Sequence, residues 1–151
     1  MANITSPESR GEPVLKIAGF QLWVNGRQFP DSTDYDDGNW LLVAAHCGEA
    51  GSSVWAEGAL LQAQDIVGFG KDCEKLLRGE AKKGSLQTCE PNLHIEIEAT
   101  DSLGHFRMQV EITPDHMAQK HQFKFEIDQS YFPAIIEQCE KFTVRFPVRG
   151  V

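Results

Sequence analysis

Hydrophobic positions along this chain change period several times, and each change marks an element. The clearest pattern lies in the second half. Leu93, Ile95, Ile97 and Ala99 alternate with His94, Glu96 and Glu98. Phe106, Met108, Val110 and Ile112 alternate with Arg107, Gln109 and Glu111, and Phe123, Phe125 and Ile127 with Gln122, Lys124 and Glu126. Successive side chains on a strand point to opposite faces, so three such segments predict an antiparallel meander with one apolar and one wet face. They are joined by a turn at Asp101-Ser102-Leu103-Gly104 and by a polar loop after Pro114. The apolar face needs a covering layer, for which two helices are available.

Those helices carry a 3.6-residue period. Ile66, Phe69, Cys73 and Leu76, widened by Val67 and Leu77, define one from Ala63 to Arg78. Asp65 near its start and Lys71, Lys75 and Arg78 near its end suit the helix dipole, and Gly79 supplies a stop. Gly68 and Gly70 each cost about 1 kcal/mol relative to alanine, so this helix depends on packing. Phe132, Ile135, Ile136, Cys139 and Phe142 define the second helix, capped by Asp128 or Ser130, with Pro133 in its first turn. Glu80 to Gly84 reads as a solvated connector, and Val144 to Val148 as an extended segment.

The first half reads as strands. Val14 to Val24 predicts two short strands, or one bent at Gly19. Asn25-Gly26 is a hairpin signal. Asp37-Gly38-Asn39 predicts a turn in which glycine supplies a positive φ. Trp40 to Cys47 then forms a strand, and its continuous run Leu41 to Ala45 predicts burial on both faces. After a turn around Gly48, Gly51 and two serines, Val54 to Leu61 is its antiparallel partner. The order strands, helix, strands, helix predicts an α+β fold: a single domain over residues 14–151, mainly antiparallel β-sheet of about seven or eight strands packed with two α-helices. Residues 1–13 are polar and rich in Ser, Pro and Gly, which predicts a loose N-terminal tail.

At 151 residues the chain suits one domain that folds without a metal or disulfide staple. Cys47, Cys73, Cys89 and Cys139 match no zinc or redox spacing and read as reduced thiols, two of them on apolar helix faces. No apolar run approaches the roughly 20 residues of a membrane span, and the N-terminus lacks the apolar stretch of a secretory signal. A cytoplasmic location is therefore the default expectation.

Charge sharpens the picture. The net charge is −8. Between Gln28 and Gly70 there is no Lys or Arg, while Asp31, Asp34, Asp36, Asp37, Glu49, Glu57 and Asp65 give that segment −7. The remainder carries only −1. Direct nucleic-acid binding needs a basic footprint and is disfavoured; a basic protein partner, or simple solubility, fits better.

Candidate chemistry is sparse. Placing Gly38 at position six of a calcium loop puts Thr33, Tyr35 and Ala44 at positions one, three and twelve, so the EF-hand register fails. His116 and His121 lack the spacing of a two-histidine zinc helix, and His46-Cys47 is not a nucleophile–base pair. His94 and His105 read as outward strand positions. Glu96 and Glu98 share a wet face that gives neither a reason to be desolvated. Gly68-Phe69-Gly70 lies inside a helix, with no dinucleotide fingerprint around it. These readings give no catalytic, cofactor-binding or metal-ligating residue. Trp23, Trp40 and Trp55 fall on strands, where core packing is the default. Tyr35, in a loop between Asp34 and Asp36, is the best candidate for an interface aromatic.

Several marks, in order, resemble a known family. Asp34-Tyr35-Asp36-Asp37-Gly38-Asn39-Trp40-Leu41 resembles the D-Y-x-D-G-N-W-L signature of WapI-type bacterial immunity proteins, which are encoded beside polymorphic toxins. A helix around Phe69 and Leu76 follows a strand pair, as in that family. Phe123 to Ser130 resembles its later strand-to-helix junction, and Phe146-Pro147-Val148 its closing F-P-hydrophobic mark. The likeness spans Phe29 to Val148; Asp36 stands where an aromatic is common, and Phe132 where an aliphatic is. It implies a cytosolic, non-catalytic, cofactor-free inhibitor whose partner is one cognate toxin domain, often a nuclease. The expected contact residues are Asp31, Asp34, Tyr35 and Asp36, with Gly38, Asn39 and Trp40 structural. A general binding module and a small metal- or ligand-dependent enzyme remain open. The latter requires His116, His121 and carboxylates to converge in one pocket.

Overall fold

A computed structural model describes residues 7–151. Eight antiparallel strands form two four-stranded sheets, accompanied by two helices. The first sheet contains β1 (Leu15–Ile17), β2 (Phe20–Arg27), β3 (Trp40–Glu49) and β4 (Ser52–Gln62) in sequential order. Helix α1 (Ala63–Leu77) leads to the second sheet, β5 (Lys83–Gln87), β6 (Leu93–Ala99), β7 (His105–Ile112) and β8 (Gln122–Asp128), and α2 (Phe132–Arg145) follows.

The core lies between the sheets. Leu41, Val43, Ala45 and Cys47 of β3 point inward and join Ile95, Ile97, Met108, Val110 and Phe125 of the second sheet. β3 lies against β7 and β8, and β4 against β7. The helices, expected to cover the meander, share that task with the first sheet. They pack on each other, α1 along β5 and α2 along β1. A Cβ on Gly70 would lie 3.0 Å from the Cβ of Cys139, and one on Gly84 would lie 2.9 Å from the Cβ of Asp72, so glycine sets both close approaches. Cys73 and Cys139 are buried free thiols with raised pKa values, Cys139 to about 12, chiefly because burial disfavours the thiolate.

Several local expectations change. β1 and β2 are separate strands joined through Ala18-Gly19, as one of the two readings had it. Asn25-Gly26 is not a hairpin: β2 runs on to Arg27, and Asn25 is an extra residue bulged between Val24↔Val43 and Gly26↔Leu42. The positive φ that favours Asn-Gly in a hairpin serves the bulge instead, with Gly26 at φ +139°. Lys83 and Gly84 are not connector; they open β5, pairing with Glu98 and Ile97. Val144 and Arg145 are the last turn of α2, and the chain extends only from Phe146.

The tryptophans are absent from the core between the sheets. Even-numbered positions of β3 face outward, and Trp23, Ala44, His46 and Trp55 share that outer surface. Trp23 and Trp55 stack with ring centroids 5.5 Å apart. Of the expected tail, residues 1–6 lie outside the described residues. Pro7–Arg10 form a 3-10 turn laid over this surface. The Arg10 guanidinium sits 4.7 Å above the Trp55 ring and pairs with Glu57, and Trp23 Nε1 donates to Gly11 O at 3.1 Å. Both faces of β3 are thereby covered as the apolar run predicted, except at Leu42, which is 38 % exposed.

Candidate functional site

The loop between β2 and β3 carries the four clustered aspartates. Its backbone is held from within and from outside. Asp34 Oδ1 accepts the Asp37 N–H at 2.7 Å and its Oδ2 the Ser32 hydroxyl at 3.2 Å, which nucleates a 3-10 turn at Asp37–Asn39. Gly38 is required there for space, and not for a positive φ: an added Cβ would lie 2.8 Å from Ser32 O. Gln62, at the end of β4, donates from Nε2 to Asp36 O at 3.0 Å.

The outside grip comes from the C-terminus. Asn39 is fully buried. Its Nδ2 donates to Tyr35 O at 2.7 Å and to Arg149 O at 3.1 Å, while its Oδ1 accepts the Arg149 N–H at 2.8 Å. Arg149 Nη1 reaches Pro30 O and Ser32 O at 2.7 and 2.9 Å. Arg27 spans the same seam, donating to Gly38 O at 2.7 Å and to Pro147 O at 2.6 Å. Burial, and then the Arg149 charge, lower the Arg27 pKa from its ordinary value. Gly150, at φ +76°, fits against the backbone at Asp34 and Tyr35, where a Cβ would come within 2.9 Å of Tyr35 Cα.

Asp31, Asp34, Tyr35 and Asp36 are therefore brought together on one rigidly held loop, all exposed. Their jobs differ: Asp34 is partly occupied with its own turn, whereas Tyr35 presents its side chain at 43 % exposure. Sequence reasoning missed Arg27, Arg149 and Gly150, which lie outside the acidic segment. No spacing rule links them to it, because the contacts bridge up to 120 residues. They also place two guanidinium groups beside the loop, each donating to backbone carbonyls. Glu57 pairs with Arg10, and Asp65 is partly buried as a helix cap, accepting the Gln62 N–H at 2.8 Å. Burial raises the Asp65 pKa against that hydrogen bond.

The other candidates do not assemble into a site. His121 lies in a groove lined by Ser52, Ser53, Val54, Lys120, Gln122 and Phe123, with no carboxylate. Among the described residues no group of three or more His, Cys, Asp or Glu is placed to hold a metal ion. Glu96 and Glu98 meet Lys83 at 3.6 and 3.9 Å on the wet face of the meander. His105 Nδ1 is 2.6 Å from Asp101, which helps hold that carboxyl below its ordinary range, after the Leu103 N–H. Cys47 is buried, its thiol pushed up to about 12 by burial and Glu49. Among the described residues no helix is long and apolar enough to cross a membrane.

In comparisons with known proteins, the model of the Immunity protein WapI-like family matches residues 15–147. No curated protein and no solved structure matches. The matched span holds the aspartate loop and ends at Pro147, whose carbonyl accepts from Arg27; Arg149 and Gly150 lie just beyond it.

Proposed function

This chain belongs to the Immunity protein WapI-like family, and from that premise we propose that it binds and neutralises one cognate toxin domain in the cytosol, without catalysis. The observation that carries the reading is the loop at Asp31, Asp34, Tyr35 and Asp36, exposed and clamped by Asn39, Arg27 and Arg149. A loop fixed before binding loses little conformational entropy when it docks. Its carboxylates suit a basic partner, and a nuclease cleft is basic because it holds phosphates. The aspartates then stand where phosphates would, and Tyr35 anchors the contact.

The test is co-expression with the toxin domain encoded by the adjacent gene, scoring growth rescue and complex formation. Replacing Asp31, Asp34, Asp36 and Asp37 together by asparagine keeps the acceptor for the Asp37 N–H and removes the charge. Association is expected to slow by at least tenfold at low salt and to lose most of its ionic-strength dependence. Unchanged kinetics in that variant defeat the phosphate-mimic mechanism, and absence of any complex with the unaltered chain defeats the immunity reading.

A further inference from the structure

The outer face of the first sheet is covered over only half its length. Trp23, Glu57 and Trp55 lie under the Pro7–Gly11 segment, and His46 packs against the Trp55 ring. Beyond them, among the described residues, the cross-strand row Gly26–Leu42–Ala59 carries no such cover, and Leu42 is 38 % exposed between a glycine and a methyl side chain. The sheet is deformed at this step on both sides. β2 inserts Asn25 before Gly26, and β4 inserts Leu60 after Ala59. Gly26 at φ +139° and Gly58 at φ +134° occupy backbone that side-chain-bearing residues rarely adopt. Paired bulges bend the strands and re-aim the residue between them, and that residue is Leu42.

The row runs directly into the aspartate loop. The next outward pair is Trp40↔Gln62, and Gln62 holds Asp36 O. Gln28 N–H bonds Trp40 O at 2.9 Å, so Phe29, 45 % exposed, leaves the sheet beside Trp40. Tyr35 adds a second exposed ring on the loop. The result is an apolar row that runs to the loop carrying Asp31, Asp34, Asp36 and Asp37. The neighbouring cations, Arg27 and Arg149, are turned onto backbone carbonyls.

We infer that the Gly26–Leu42–Ala59 row is the apolar centre of the surface that receives the toxin domain, with Leu42 entering an apolar recess rimmed by basic side chains on that partner. Interfaces place their energetically dominant contacts in a desolvated apolar centre and their charges at the rim, and this row, running to the aspartate loop, suits that layout. The inference rests on the immunity reading and adds to it the place where water is excluded. Charge complementarity selects the occupant: the carboxylates of the adjoining loop oppose a second copy of this acidic chain and favour a basic partner.

The experiment titrates the full chain against the toxin domain of the adjacent gene by calorimetry. Leu42→Asp and Ala59→Arg, both at the surface, are each expected to weaken binding by roughly thirtyfold or more, with unfolding midpoints close to the unaltered chain. Lys124→Ala, on the exposed side of the second sheet, is expected to leave affinity unchanged. If the unaltered chain binds and both row variants bind equally well, this inference falls while the immunity reading stands. If the unaltered chain does not bind, the immunity reading falls and takes the inference with it. If sedimentation shows the chain alone to be a dimer that Leu42→Asp dissociates, the row is covered by a second copy and the assignment to a toxin is overturned.

Discussion

Asn39 serves two chain segments with one side chain. Its amide donates to Tyr35 O and Arg149 O and accepts from Arg149 N, so the loop and the C-terminus share a single buried group. Alanine here strands several buried polar atoms at once. Asn39→Ala is expected to cost about 3 kcal/mol, since each orphaned group costs ~1–3 kcal/mol and part is recovered by water. Urea unfolding checks it: the midpoint falls at unchanged slope. A loss below about 1 kcal/mol would mean that the clasp contributes little. Gly38 beside it teaches a different lesson. Its neighbours Asp37 and Asn39 make a turn legible in the sequence, but the reason for glycine is the approach of Ser32 O at 2.8 Å, which no turn rule contains.

Elements were legible where one face alone decides the pattern. β6, β7 and β8 alternate because one side meets the core and the other water. β5 was hidden because Lys83 and Gly84 look like loop; Gly84 is there to admit α1, and Lys83 faces Glu96 and Glu98 on the wet side. The start of α1 carries a capping box between Gln62 and Asp65, and its carboxyl is the partly buried acid of the acidic segment. Burial raises the Asp65 pKa above 3.8, so the folded state holds that proton more tightly than the unfolded chain. Its contribution to stability therefore falls as pH rises from the unfolded pKa through the folded one. Asp65→Asn keeps an acceptor for the Gln62 N–H and removes the titration. The stability of the native chain relative to this variant is expected to decline as pH rises above about 3.8, read from urea midpoints. A difference that grows with pH would show that the hydrogen bond outweighs burial.

At the scale of the whole molecule, the loop's conformation belongs to residues at the far end of the chain. Ending the chain at Pro147 removes the Arg149 bonds to Asn39, Pro30 and Ser32 together with the Gly150 contact, but keeps both sheets. Protease cleavage is expected to appear within residues 30–38, and amide exchange there to speed up by more than tenfold, while β6 and β7 keep their protection. Equal protection in both chains would show that Asp34, Gln62 and Arg27 suffice to hold the loop. Because Arg149 leaves with the tail while Arg27 stays, the truncated chain loses one cation beside the loop as well as the loop's order. Slower toxin association in that chain would favour order over charge as the main contributor.

The sequence by itself determined the α+β class, the meander, both helices, the free thiols and the position of the aspartate loop, because period, turn chemistry and local charge act between residues a few positions apart. It also carried the family signatures at both ends of the domain. Only the tertiary structure decided that these signatures meet, that Arg27 and Arg149 grip the loop's backbone, that the tryptophans face away from the core, and that Leu42 stays partly exposed between two bulges. Each of those depends on which surfaces the two sheets and the C-terminus bring together across up to 120 residues of chain, and no local pattern encodes that distance.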